Sequence, residues 1–356
     1  MLVLLLACNK TSLELAWQEG LELEDPAILA DEGLIITVSE MTMRGMDAAS
    51  GGTLWSAELP EGVGGAPVVT DDDEILLWSE IGIFGFDTTG EVVFSRNAEM
   101  FVEVDPAVTA DGTILVMGEN LDKDAAVLTK MTTDSGVVSQ VEFAEGHPLT
   151  QPAIDSEGNI YVVLTTDGTV FTLVSLDAEG ELRWEVELAE GIDGSAEIIP
   201  YAGLWLVSGG VLQELDPATG EVLDDDEGVY VTFDDEGAII RSEAQLEIEN
   251  RDEAAIEFPN LTCGHTAVDV EGRIYAACAM PNDPGRTIVI DLREKVRIGD
   301  PAEWAGETQL ASPLLWEDLV IFRLDAGLIA YSGAAPLAED AWARSRGGLR
   351  NQNRAP

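Results

Sequence analysis

His147 and His265 are the only histidines in the chain, and Cys8, Cys263 and Cys278 the only cysteines. No HxH, HExxH or CxxC spacing joins any of them, so the sequence spells out no transition-metal cluster and no metal site is expected. A GxSxG nucleophile elbow and a phosphate-cradling GxxxxGK[ST] loop are both missing. No residue is therefore assigned a catalytic role. His147, in Glu145-Gly146-His147-Pro148, reads as a surface histidine on a connecting loop. His265, next to Cys263 and Gly264, reads as the start of a strand. Three acidic runs could attract Ca²⁺: Asp71–Glu74, Asp224–Glu227 and Asp234–Glu236. None has the EF-hand spacing, which needs Gly at the sixth loop position and Glu at the twelfth. The first and third fall in turns, where solvated carboxylates are ordinary. Ca²⁺ is left open as a ligand, and no other cofactor is expected.

The bulk composition narrows the classes. The chain has 356 residues, of which 46% are hydrophobic, enough for a large core and too apolar for a disordered chain. Its 35 glycines and short apolar runs favour strands and turns. The formal net charge of −50 would repel a phosphate backbone, which excludes nucleic acid as a partner. It favours partners with basic segments.

The first residues, MLVLLLACNK, are apolar up to Cys8 but far too few to span a bilayer as a helix. Leu5-Leu6-Ala7-Cys8 resembles the lipobox of bacterial lipoproteins, cut before the Cys and acylated on it. Residues 1–7 are then a signal peptide lacking its usual positively charged leading part. Cys8 is the lipidation site, and attachment to the membrane is through that lipid anchor only. Asn9 fits export to the outer membrane. In an oxidising compartment the remaining pair, Cys263 and Cys278, is a disulfide candidate. The hairpin turning at Val270-Glu271-Gly272 brings the two opposite each other or one residue out of register. Two buried thiols are the other outcome.

These features sit on a repeat. A small or Pro residue opens a short apolar strand; an acidic Gly turn and a second strand follow; an Asp-x-x-x-Gly phrase then leads into a last strand. Pro26, Pro67, Pro106, Pro152, Ala196, Ala267 and Pro313 mark successive openings, roughly every forty residues, with two copies between Ala196 and Ala267. LDAEGELRWEVELAEG (176–191) is the last hairpin of the fourth copy. The sixth copy, 229–258, is degenerate. A four-strand period of this length predicts an all-β fold, an eight-bladed β-propeller of four-stranded antiparallel blades, or seven blades if the sixth copy is an insertion. The eighth copy stops after three strands at Tyr331, and the N-terminal stretch 13–24 can supply the missing fourth strand and close the ring. Trp17, Trp55, Phe94 and Trp184 fall at one recurrent place in the last strand of their copies and are expected to pack between blades.

The repeat resembles that of quinoprotein-dehydrogenase-like (PQQ-like repeat) propellers. That family includes quinone-dependent alcohol dehydrogenases and a non-enzymatic propeller lipoprotein of the outer-membrane protein assembly machine. The resemblance covers roughly 13–333. With the Cys8 lipobox it implies the lipoprotein architecture. The dehydrogenases are larger and carry a vicinal-Cys disulfide beside the cofactor; no adjacent Cys pair exists here, so a quinone cofactor is not expected. The domain plan is 1–7 signal peptide, 8–333 propeller and 334–356 an Arg-rich tail. That tail, AWARSRGGLRNQNRAP over 341–356, resembles one found on bacterial propellers of this type. Trp342, Arg344, Arg346 and Arg350 are expected to dock it on the anionic body. The expected function is a non-catalytic, monomeric, membrane-anchored scaffold that binds envelope proteins, as an outer-membrane lipoprotein facing the periplasm or the cell surface. A quinone- or Ca²⁺-dependent oxidoreductase and an extracellular sugar or peptide sensor are the alternatives.

Overall fold

The structure is a computed structural model. It describes residues 14–337, apart from 21–26, 31–32, 40, 124, 144–145, 189–191, 193–195, 228–229, 234–238, 243–245, 250–255, 259–261, 281–282, 292–295, 304–311 and 325–326. The described strands form eight antiparallel sheets, each built from consecutive strands except the last. Sheet 1 contains Ile28–Ala30, Leu34–Ser39, Thr42–Asp47 and Thr53–Glu58. Sheet 2 contains Val63–Val69, Ile75–Ser79, Gly82–Phe86 and Val92–Asn97. In sheet 3 the first strand is split into Phe101–Val102 and Ala107–Val108, both paired with Ile114–Asn120; Ala125–Thr132 and Gly136–Glu142 follow. Sheet 4 repeats the split, with His147–Pro148 and Ala153–Ile154 on Ile160–Thr166, then Val170–Leu176 and Leu182–Glu187. Sheet 5 runs from Glu197–Ile199 to Val222–Glu227, and sheet 6 from Tyr230–Phe233 to Ile256–Phe258. Sheet 7 runs from Thr262–Val268 to Val296–Glu303. Sheet 8 holds Leu314–Trp316, Leu319–Leu324 and Gly327–Ser332, and its fourth strand is Glu14–Gly20, from the other end of the chain.

The split first strands follow from proline. Pro106 and Pro152 lack the N–H that a ladder needs, so pairing stops before each and resumes at the next residue. Pro67 acts alike in sheet 2, where the register shifts between Gly64 and Val68. The hairpins into the last strands are set by an aspartate and a glycine. Asp177 Oδ1 accepts from the backbone N–H groups of Glu179, Gly180 and Glu181 at 3.1, 2.9 and 2.8 Å, and Gly180 takes a φ of +97°. Asp87 does the same for Thr89 and Glu91.

Burial falls from first strand to last. Ile28–Ala30 is buried at every residue, whereas Thr53–Glu58 and Leu182–Glu187 are exposed at alternate or consecutive positions. The last strands are free edges, and Glu58, Arg183, Glu185 and Glu187 blunt them with charge. Apolar side chains gather between sheets, not in one centre. One cluster joins Ile28, Ile36 and Met43 of sheet 1 to Val69, Leu77 and Phe86 of sheet 2. Others join sheets 2 and 3, 3 and 4, 4 and 5, and 8 and 1. A single sheet has two apolar faces and cannot hide both, so each depends on its neighbours.

Candidate functional site

At several sheet junctions a side chain near the end of one sheet donates to a backbone carbonyl in the last hairpin of the next. The indole Nε1 of Trp17 donates to Ala48 O at 2.8 Å, that of Trp55 to Thr88 O at 2.8 Å and that of Trp184 to Pro217 O at 3.0 Å. In each case the carbonyl belongs to the residue after the turn Asp or its equivalent. The rings also cover the turn glycine: a Cβ on Gly90 would lie 2.7 Å from the Trp55 ring, and one on Gly220 2.5 Å from that of Trp184. Phe94 has no N–H to offer. It packs in the apolar cluster between sheets 2 and 3, and Arg96 Nη2 makes the bond instead, to Thr133 O at 2.5 Å. Between sheets 3 and 4 the donor is Lys130 Nζ, to Ala178 O at 2.6 Å. Neither Arg96 nor Lys130 was expected from the sequence, because only the recurrent aromatic gave a signal.

In sheet 7 the backbone register sets Cys263 across from Cys278. At the turn end of the same hairpin, buried Asp269 is a hub. Its Oδ1 accepts from the N–H groups of Glu271 and Arg273 at 2.9 Å each. Its Oδ2 accepts from Arg273 Nε at 2.7 Å, the Tyr275 hydroxyl at 2.8 Å and Ala335 N at 3.3 Å. Burial first, then the nearby Asp269 carboxylate, push the Tyr275 hydroxyl far above its ordinary value. Val270 N donates to Pro336 O, so the segment that leaves sheet 8 crosses onto sheet 7. The same Asp and Tyr recur in sheet 4, where burial and Asp155 push Tyr161 up to about 12. Cys8 and the tail residues Trp342, Arg344, Arg346 and Arg350 lie outside the described residues.

A third arrangement corrects the sequence reading of His147. It is not on a loop. It begins the split first strand of sheet 4, paired with Thr165, and Gly146 before it bridges to Ala125 of sheet 3. Its Nδ1 lies against Glu119 Oε1. Glu119 is in the second strand of sheet 3 and only 7% exposed, and no hydrogen bond is formed to its Oε1. Glu103, following Phe101–Val102, completes a group whose ligating atoms all lie within 4.8 Å of one another. Burial holds the Glu103 carboxyl above its ordinary value. Among the described residues this is where His and carboxylate groups gather in a set of three; Asp71–Glu74, Asp224 and Asp225 contribute nothing to it. The run at 234–236 lies outside the described residues. The three residues come from separate stretches of chain, two of them in strands of different sheets, so no local spacing announces them. The one signal is Glu119 itself, an acid in the otherwise apolar run Ile114–Gly118.

Residues 5–138 match the family model for the outer membrane protein assembly factor BamB. No curated protein matches the chain. Among solved structures, the crystal structure of BamB from Moraxella catarrhalis is similar over 90% of this chain and 97% of that one, with a TM-score of 0.63 at 16% identity. The computationally designed Ika8 protein is similar over 90% and 100%, with a TM-score of 0.62 at 14% identity. The Dos1 propeller is similar over 91% and 96%, with a TM-score of 0.62 at 9% identity. At such identities the likeness is one of fold. The sheets are those of a β-propeller with PQQ-like repeats, similar to BamB.

Proposed function

We propose that this chain is a non-catalytic, monomeric scaffold of the bacterial cell envelope, anchored by a lipid on Cys8 to the outer membrane. In this reading its eight sheets are the eight blades of a ring that Glu14–Gly20 closes by completing the last blade. The observation that carries the function is the match of residues 5–138 to the BamB family model, supported by the likeness in fold to BamB along most of the chain. Pairing of the first described strand with the last supports the ring. Completing the last blade covers the edge of Gly327–Ser332, and loops on a rigid frame suit docking of other proteins. The charge of −50 selects partners that offer basic segments.

The test is crosslinking in the native host followed by purification of the chain from membranes and identification of what is joined to it. Outer-membrane proteins or their assembly partners are expected, less abundant when crosslinking follows a high-salt wash. Recovery of no envelope protein would sink the proposal. Mass analysis of the membrane-bound form should show a chain beginning at acylated Cys8.

A further inference from the structure

We propose that Glu103, Glu119 and His147 form a Zn²⁺ site that ties sheet 3 to sheet 4. The inference is independent of the scaffold role. It rests first on convergence: two carboxylates and an imidazole from three separate stretches of chain bring one ligating atom each within 4.8 Å of the others. It rests second on Glu119. The side chain is 9% exposed, and its Oε1 points at His147 Nδ1 without accepting any hydrogen bond. A carboxylate this buried is costly unless a cation offsets it. Glu103 and Glu119 bring two carboxylates to one point, and a divalent ion neutralises both.

The donor set chooses the ion. One imidazole nitrogen with two carboxylate oxygens suits Zn²⁺, whereas Ca²⁺ and Mg²⁺ take oxygen-only shells. Ligands of a tetrahedral Zn²⁺ with bonds of about 2.0–2.1 Å stand roughly 3.4 Å apart. Rotation of the part-exposed His147 and Glu103 side chains sets both at that spacing around a fixed Glu119. The exposed side of His147 gives an entry path and leaves the fourth position to water. The location also has a use. The junction of sheets 3 and 4 is tied by Lys130 instead of by a tryptophan, and the backbone bridge of Gly146 to Ala125 already brings the two sheets together beside His147.

The full chain, stripped with a chelator, is titrated with Zn²⁺ in excess Mg²⁺, which occupies the acidic surface. Binding is read by calorimetry and by the midpoint of thermal unfolding. One equivalent of Zn²⁺ is expected, with a raised unfolding temperature. Glu119→Gln and His147→Gln each weaken binding at least about tenfold and abolish the thermal shift. Glu157→Gln, an exposed acid elsewhere, does neither. Circular dichroism of the metal-free variants checks that they fold; His147→Gln removes only a part-exposed ring and serves if Glu119→Gln does not. Zn²⁺ uptake unchanged in His147→Gln, absence of a one-equivalent site above the surface background, or displacement of Zn²⁺ by equimolar Ca²⁺ would each overturn the assignment.

Discussion

The carbonyls of Ala48, Thr88, Thr133, Ala178 and Pro217 are the constant partners at five junctions, and their donors vary between indole, guanidinium and ammonium. The requirement is therefore for an N–H at a fixed point, with ring area a separate contribution. Trp55→Phe keeps most of the ring and loses the N–H, so it should cost about 1 kcal/mol. Gly90→Ala should cost more, because its φ of +83° disfavours a side chain and its new Cβ would strike the Trp55 ring. Urea unfolding of the two variants should rank them in that order. Lys130→Met removes a charged donor that is only 8% exposed and should cost about 1.5–3 kcal/mol by the same measurement. These residues differ in how well the sequence disclosed them. Trp17, Trp55 and Trp184 stand at one place in their repeats, and periodicity finds them. Lys130 looks like any surface lysine, because its reach to Ala178 depends on how two sheets pack.

At the scale of the element, sheet 7 and its crossing segment lean on a single side chain. Asp269 is fully buried and holds its own hairpin, Arg273, Tyr275 and the N–H of Ala335. Asp269→Asn removes the charge opposite Arg273 and turns one acceptor into a donor facing other donors. A loss of about 3–5 kcal/mol is expected, as for a broken buried pair. Limited proteolysis should then cut the variant near 333–337 faster than the wild type, since that segment loses its tie. The hairpin was legible, because Asp269 and Gly272 punctuate it. The crossing segment was not, because Ala334-Ala335-Pro336-Leu337 carries no pattern of alternation or turn chemistry. The same sheet bears on the cysteines. Cross-strand register places Cys263 opposite Cys278, and we propose that export oxidises them to a disulfide. Protein purified from the envelope should resist alkylation until reduced and gain two labels afterwards; two labels without reduction would refute the bond.

For the molecule as a whole, the repeat disclosed the sheets because each copy restates the same alternation, while the Glu103–Glu119–His147 group stayed hidden because sheets 3 and 4 must pack before it exists. What the composition does disclose without any fold is self-repulsion, 68 acids against 18 bases. The individual carboxylates then fix the pH response. Glu74 is held above its ordinary value, by burial first and by Asp72 and Asp134 next. A raised carboxyl opposes folding while it is ionised, so stability is recovered as pH falls through its folded value. Asp87 and Asp111 are held below their ordinary value, chiefly by hydrogen bonds from the Thr89 and Thr109 hydroxyls. Their contribution is present above the ordinary aspartate range and is lost as pH falls through their depressed values. At low salt the unfolding temperature should therefore rise as pH drops from neutrality toward the range where Glu74 protonates, then fall steeply once the turn aspartates are titrated. Added salt screens the repulsion and leaves the short turn hydrogen bonds largely in place. It should raise the neutral-pH unfolding temperature and flatten the acid-side rise, while the steep loss at lower pH persists. A melting temperature independent of salt at neutral pH would mean that the acids are spread widely enough on the sheet edges for solvent alone to neutralise their mutual cost.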